Sequence, residues 1–509
     1  MAPARWSKTI DEVAAEVHAD VGDLKASVGS VGWDKALEDG AARAALKDGD
    51  GAHPVDPGHL TDVGNSERLI ARYGDDFRYV ASWAAWLVWD GKRWKRDAKG
   101  EVYEAAKAVA ANLWIQVATE TDPDRRKALA RWASQSEGAN RIEAMIKLAR
   151  TAPEIVVDTD ELDADPWLFN VVNGTVDLRG GPVRPHRRED LITKLAPVAY
   201  RASRGECPTW LAFLERVLPD PEVRDFLQEA VGYSLTGTVT EHLLFFAYGT
   251  GANGKTTLLQ TLLGLFGEHG RQADPDLLLA AREAHPTGVA DLLGARLVVS
   301  TEIDEGRRLA EATVKRLSGG DRLKARYMRQ DFFEFEPTHT LFLAANHRPI
   351  VRGTDAAIWR RLRLIPFNVS IDPADQDHEL VDKLRKELTG ILSWALEGCR
   401  RWQAQGMSTP TAVMVATDEY RTEMDVLGNF LAECCVVLTD SFVASADLYR
   451  AYVSWCEANG ERPASQRKVG LTLTERGFER RQAGHERRWH WFGLGLLANV
   501  RTDPTLVSV

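Results

Sequence analysis

The sequence predicts an α/β protein built around a P-loop core, with a mixed α+β domain before it and a winged-helix domain after it. Three observations carry this expectation. First, the apolar run Leu243–Tyr248 leads into Gly249-Thr250-Gly251-Ala252-Asn253-Gly254-Lys255-Thr256, and the apolar run Leu258–Leu263 follows. The octapeptide fits G-x-x-x-x-G-K-[ST] at every fixed position, in a strand–loop–helix context. Second, the runs Arg296–Glu302 and Thr340–Asn346 are apolar and each ends in a polar residue, as further buried strands of one sheet would. Third, the flanks differ in character: hairpin and helix signals fill residues 66–200, and helices followed by an aromatic strand close the chain.

Bulk properties bound the answer. A chain of 509 residues has room for about three or four domains. Its 44% apolar and 27% charged content is that of an ordinary globular protein. No run approaches the roughly 18 apolar residues of a membrane span, and Met1–Trp6 lacks the apolar core of a signal peptide. The expected location is therefore cytoplasmic, with no membrane partner. The five cysteines, Cys207, Cys399, Cys434, Cys435 and Cys456, show no paired C-x-x-C spacing, so reduced thiols are expected rather than zinc or a disulfide framework. A net charge of −10 argues against a uniformly basic nucleic-acid coat but leaves room for a local basic channel.

In chain order, residues 1–65 are rich in Ala, Asp and Gly and form a poorly defined N-terminal region. Residues 66–200 read as one α+β domain. Trp86–Trp94 carries an Asp90-Gly91 turn and Asn170–Leu178 an Asn173-Gly174 turn, both hairpin signals. Between them, Glu101 to Leu148 reads as helices. The tryptophans of the first hairpin suit either base stacking or a core. Residues 201–378 form the nucleotide-binding core, entered by a helix near 209–234. Residues 379–435 form a helical lid or linker, with Leu380, Leu384, Leu388, Ile391, Leu392 and Leu396 at helical spacing. Residues 436–509 form the winged-helix-like domain.

The chemistry follows from residue types in that order. Backbone N–H groups of Gly249 through Thr257 and the helix N-terminus suit a nucleotide phosphate; Lys255 reaches the β/γ oxygens and Thr256 suits Mg²⁺. The cofactors expected are ATP and Mg²⁺. Glu302, at the end of its strand, is the first choice to orient the attacking water or hold Mg²⁺; Asp304 and Glu305 stand close behind. Asn346 suits a γ-phosphate or lytic-water contact. Arg361, with Arg360 second, suits an arginine finger acting across a subunit boundary. Between acid and Asn, Ser318–Phe335 reads as a hairpin with its tip near Met328–Asp331. Its Lys324, Arg326 and Arg329 would hold DNA phosphates if such hairpins lined a pore; an ordinary edge hairpin is the alternative. The tail holds Arg462, Arg467, Lys468, Arg476, Arg480, Arg481, Arg487 and Arg488 against four glutamates, which suits duplex DNA or a protein partner.

The order phosphate loop, Glu302 strand, basic hairpin, Asn346 strand and Arg360-Arg361 resembles the superfamily 3 helicases. More narrowly it resembles the helicase half of phage and plasmid replicative primases, the poxvirus-type primase-helicase group. The stretches that carry the likeness are Gly249–Thr257, Leu317–Asp321, and Ala345–Pro349 followed by Ile358–Phe367. Asn170–Leu178, with Arg187–Asp190 and Thr193-Lys194, resembles the group's pre-helicase domain. The likeness covers roughly 75–500. It implies an AAA+-like core and a homo-oligomeric ring, usually hexameric, that hydrolyses ATP at subunit interfaces and translocates on single-stranded or forked DNA in a bacterial or phage-infected cell. The alternative is a replication initiator or loader in which ATP switches assembly and unwinding is minor. Asp158-Thr159-Asp160 imitates the metal pair of a primase, but too little chain precedes it for a polymerase fold. A primase partner encoded separately is therefore expected.

Overall fold

Residues 59–201, 206–280, 286–301, 304–329, 331–351, 356–483 and 487–497 are described by the computed structural model of the chain. They fall into two units. The first holds residues up to Asp177 with Pro182–Ala196 and Tyr327–Phe335; the second holds the rest.

In the first unit, α1 (Asp62–Tyr73) starts at Thr61, whose hydroxyl accepts from Gly64 N at 3.1 Å and caps the helix. Strands β1 (Phe77–Val80), β2 (Ala85–Trp89) and β3 (Trp94–Arg96) form an antiparallel sheet. The Asp90-Gly91 turn is where the sequence placed it: the Asp90 carboxylate accepts from Lys92 N and Arg93 N, and Gly91 sits at φ +91°. Three helices follow, α2 (Glu101–Thr119), α3 (Pro123–Ser136) and α4 (Ala139–Ala149), then the hairpin β4 (Leu168–Val171) and β5 (Gly174–Asp177). Gly174 is required there, because a Cβ would lie 2.6 Å from Arg184 O. Trp94 is fully buried and its indole donates to Arg188 O at 2.9 Å, which settles that ring as core.

The second unit opens with α5 (Pro208–Val217) and α6 (Pro221–Ser234). The sequence suggested one helix over 209–234. Two form instead, because Pro219 and Pro221 cannot continue α5, and the Asp220 side chain caps the second by accepting from Glu222 N. The centre is a parallel five-stranded sheet in the order β12-β6-β11-β8-β7: β6 (Leu244–Tyr248), β7 (Gly270–Gln272), β8 (Leu297–Thr301), β11 (Thr340–Ala345) and β12 (Leu362–Pro366). Two short strands come between β8 and β11 in the chain, β9 (Leu323–Ala325) in this unit and β10 (Phe333–Phe335) in the first. The residues of β6 and β11 are almost all buried, as strands covered on both faces require. Helix α7 (Lys255–Phe266) follows β6. The mixed α/β fold with a parallel sheet is the class the sequence predicts.

Behind the sheet, α6 meets α8 (Leu388–Gln405) at unusually close range. A Cβ on Gly232 would lie 2.1 Å from Cys399 N, and one on Gly398 would lie 2.0 Å from Gln228 O. The buried Glu229 carboxylate is satisfied across the same contact by Arg401 at 3.2 Å, Gln405 at 2.9 Å and Ser408 N at 3.1 Å. Helices α9 (Thr411–Glu423) and α10 (Val426–Cys434) lead to β13 (Cys435–Ala444), α11 (Ser445–Ala458), α12 (Gln466–Glu475), β14 (Glu479–Ala483) and β15 (Arg488–Leu496). The three strands form an antiparallel sheet ordered β13-β15-β14. Their shared core draws on Leu427, Phe430, Tyr452, Leu473 and Trp491. The five cysteines are buried, unbridged thiols. Among the described residues, no helix is long and apolar enough to cross a membrane.

In an exposed helix Gly→Ala gains about 0.5–1 kcal/mol. At Gly398 the sign reverses, because the methyl group meets a backbone oxygen of α6 that cannot yield. Gly398→Ala is expected to destabilise the chain by about 1–3 kcal/mol, read as a lower urea midpoint at unchanged slope.

Candidate functional site

The parallel sheet sets the site. Ala345 of β11 lies opposite Tyr248 of β6, and Ala344 lies opposite Thr301 of β8. Strands β6, β8 and β11 therefore end at one edge of the sheet, the carboxyl edge where α/β folds bind ligands. Gly249 follows β6 there and Asn346 follows β11. Glu302 lies outside the described residues. Asp304 and Glu305, just beyond, are exposed.

The glycine loop from Gly249 to Gly254 is held from below. Gly249 has no room for a side chain, since a Cβ would lie 2.3 Å from Phe367 O. Gly254 sits at φ +83°, and a Cβ there would lie 2.7 Å from Val217. Asn253 is buried; its amide donates to Phe367 O at 3.1 Å and its oxygen accepts from Lys255 at 2.7 Å. Read by sequence alone, Asn253 is one more loop position, and this bracing role is not visible there. The motif leaves that position free, and the partner lies 114 residues away.

Lys255 is the centre of the arrangement. It is 5% exposed, and its ammonium donates to Gly249 O at 2.7 Å, Asn253 Oδ1 at 2.7 Å and Asn346 Oδ1 at 3.1 Å. Three acceptors match its three protons. Lys255 and Asn346, 91 residues apart, are thus brought together. Burial lowers the amine from the ordinary 10.5 to about 8. Thr256 is exposed and Thr257 half-buried in the first turn of α7, beside the loop.

The arginines lie elsewhere. Leu362 pairs with Leu244, so Arg361 precedes β12 at the amino edge of the sheet, and its carbonyl accepts from Leu244 N at 2.8 Å. The five residues of β6 put its backbone about 16 Å from the glycine loop along the strand. Its guanidinium turns back to Ala357 O at 3.1 Å. Arg360 is exposed. Neither joins Lys255 and Asn346 at the carboxyl edge of this chain.

Strands β9 and β10 flank the expected hairpin tip in the chain, with Lys324, Arg326 and Arg329 exposed and Arg329 at φ +60°. The loop also exposes Met328 and Phe332, 73% and 51%. Tyr327 stacks on Phe333 at 5.5 Å. Other residues singled out by sequence have structural work. The Asn170 amide donates to Lys92 O and Lys194 O, both at 3.0 Å, and its oxygen faces His186 at 2.8 Å. Arg188 pairs with Asp76. Asp158 opens a capping box with Glu161, at the start of the short turn Thr159–Glu161. In the tail, Arg476 pairs with Asp425, Arg481 with Glu479, and Arg480 stacks over Trp489 at 4.9 Å.

Three family models match the chain. They are D5 N terminal like over residues 66–219, a family of unknown function (DUF5906) over residues 247–361, and poxvirus D5 protein-like over residues 422–487. Among curated proteins, Putative helicase L207/L206 of Acanthamoeba polyphaga mimivirus is 26% identical over 323 residues, covering 58% of this chain and 34% of that protein. Putative helicase 022R of Frog virus 3 is 26% identical over 399 residues, covering 62% of this chain and 41% of that protein. Putative primase C962R of African swine fever virus is 24% identical over 328 residues, covering 58% and 34%. The chain therefore spans between 34% and 41% of the length of these relatives. Among solved structures, the apo structure of the NrS-1 C terminal region (305-718) is similar at 9% identity and a TM-score of 0.46, covering 85% of this chain and 99% of that one.

The lowered Lys255 pKa has a definite sign. Between about 8 and 10.5 the unfolded chain keeps a proton that the folded one has released, so stability rises with pH across that window. Below it, both states hold the proton and the cost of burial is complete. The unfolding free energy of the wild type, minus that of Lys255→Gln, is expected to increase from pH 8 to 10. A difference independent of pH would contradict the burial.

Proposed function

Starting from a chain that is a relative of the viral D5-like proteins, we propose that it is an ATP-dependent DNA helicase of phage or plasmid replication, a P-loop motor working as a ring. The observation that carries this reading is the buried Lys255 ammonium shared between the glycine loop and Asn346. A lysine held by three oxygens at a helix N-terminus is ready to exchange them for phosphate oxygens, which bear more charge. Asn346, already in contact with it, would report whether the γ-phosphate is intact and align the attacking water. Glu302 is assigned to that water and, with Thr256, to Mg²⁺. The exposed Thr256 beside the loop, an oxygen donor, suits that hard cation. Bound there, Mg²⁺ would neutralise charge on the β- and γ-oxygens.

Hydrolysis needs a further positive charge near the transferring phosphoryl group. Arg361 stands at the opposite edge of the sheet, so we assign it to the site of a neighbouring copy, with Arg360 as second choice. A finger in trans requires an oligomer, and a closed ring, a hexamer in the family resembled, gives every copy the same interface. Lys324, Arg326 and Arg329 on their exposed hairpin suit phosphates of a single strand threaded through such a ring. The C-terminal order helix, strand, helix, helix, strand, strand supports a winged helix, with the exposed Arg467 at the start of α12 suited to a phosphate contact.

Steady-state ATP hydrolysis with and without single-stranded DNA tests the reading, with Lys255→Ala as the blank. A coupled motor is expected to show stimulation of tenfold or more, on the order of 1.4 kcal/mol in barrier, and no turnover in the variant. Negligible or DNA-independent turnover by an assembled protein would favour the initiator or loader. Unchanged turnover in Lys255→Ala would remove the site.

A further inference from the structure

Two residues beyond Asn346 stands Arg348, which plays no part in the mechanism above. Its guanidinium lies over the ring of Tyr248 at 4.5 Å, and Tyr248 is the residue immediately before Gly249. It pairs with Glu423, the last residue of α9, and lies 5.6 Å from the Tyr420 ring. The Arg348 side chain is only 19% exposed. One turn before Glu423, the buried Tyr420 hydroxyl donates to Pro349 O. One turn earlier again, Thr417 accepts from Leu364 N of β12 at 3.0 Å. Thr417, Tyr420 and Glu423 follow at three-residue spacing and so share one face of α9. That face fastens the loop carrying Asn346 and covers an edge strand of the sheet.

The other end of this connection is equally specific. Asp425, two residues after Glu423, caps α10 by accepting from Gly428 N at 2.9 Å and accepts from Arg476 at 2.6 Å. Arg476 is the C-cap residue of α12. The short segment Glu423-Met424-Asp425 therefore joins the Asn346 loop on one side to the C-terminal helices on the other. A planar cation stacked on an aromatic face and paired with a carboxylate holds an orientation that a lysine would not.

We propose that Arg348 is a positioning residue for the phosphate site. Through Tyr248 it fixes the start of the glycine loop, through its own loop it fixes Asn346, and through Glu423 it ties both to residues 426–476. The inference rests on the phosphate-site reading and adds regulation of that site by the C-terminal helices.

The test uses the full chain and compares wild type with Arg348→Ala, Arg348→Lys and Glu423→Gln. ATP turnover is measured as kcat and KM, and hydrogen exchange of residues 426–476 is followed with and without ATP. Arg348→Ala is expected to lower kcat about tenfold, as misplacement of a reacting group does, while KM stays close to wild type. Arg348→Lys, which keeps the charge for Glu423, should recover part of kcat. Addition of ATP should change exchange in α10 and α12 of the wild type, and Arg348→Ala and Glu423→Gln should both abolish that change. If Arg348→Ala fails to fold, the exchange result for Glu423→Gln decides. An unchanged kcat in folded Arg348→Ala, or an ATP-dependent exchange change that persists in Glu423→Gln, would overturn the inference while leaving the phosphate site intact. Absence of ATP binding by the wild type would defeat the phosphate site itself, and the inference with it.

Discussion

A lysine ammonium buried at the start of a helix is costly unless its protons meet oxygens, and that constraint organises the centre of this protein. Lys255 has three acceptors, drawn from the residue that opens its loop, the residue two before it, and the end of a different strand. The third exists only because β11 lies next to β6 in parallel, in a register that puts Ala345 beside Tyr248. A shift of one residue in that register would turn Asn346 to the other face and leave the ammonium short of a partner. The nearly all-apolar strands, the glycines that cannot carry side chains and the bracing Asn253 all serve that placement.

The same sheet separates two groups that the proposed mechanism needs in one chemical step. Parallel strands share a carboxyl edge and an amino edge, and the chain returns between them through Ile358–Arg361 before β12. Lys255 and Asn346 stand at one edge and Arg361 at the other. The separation follows from strand direction rather than from side-chain detail. In our account it becomes a reason for assembly, since two incomplete edges from neighbouring copies make one complete site.

Much of this was legible in the sequence, for local reasons. The glycine loop, its flanking strand and helix, the Asp90-Gly91 and Asn173-Gly174 turns and the strand before Asn346 are each specified by adjacent residues. What was illegible depended on distant partners. Asn253 finds Phe367 and Arg348 finds Glu423 only after folding. The tail arginines read as one basic surface until Asp425, Glu479 and Trp489 engaged three of them. The two-helix break at Pro219-Asp220-Pro221 was written in the sequence and was overridden by the longer apolar pattern around it.

The central claim is that the active unit spans two copies of the chain, and a subunit-mixing experiment tests it most directly. Arg361→Ala and Glu302→Gln proteins, each inactive alone, would be mixed under conditions where mixed assemblies are verified by mass. The account predicts that ATP hydrolysis returns in the mixture, because some interfaces pair an intact Glu302 with an intact Arg361. Mixed assemblies with no recovered activity would contradict a shared site.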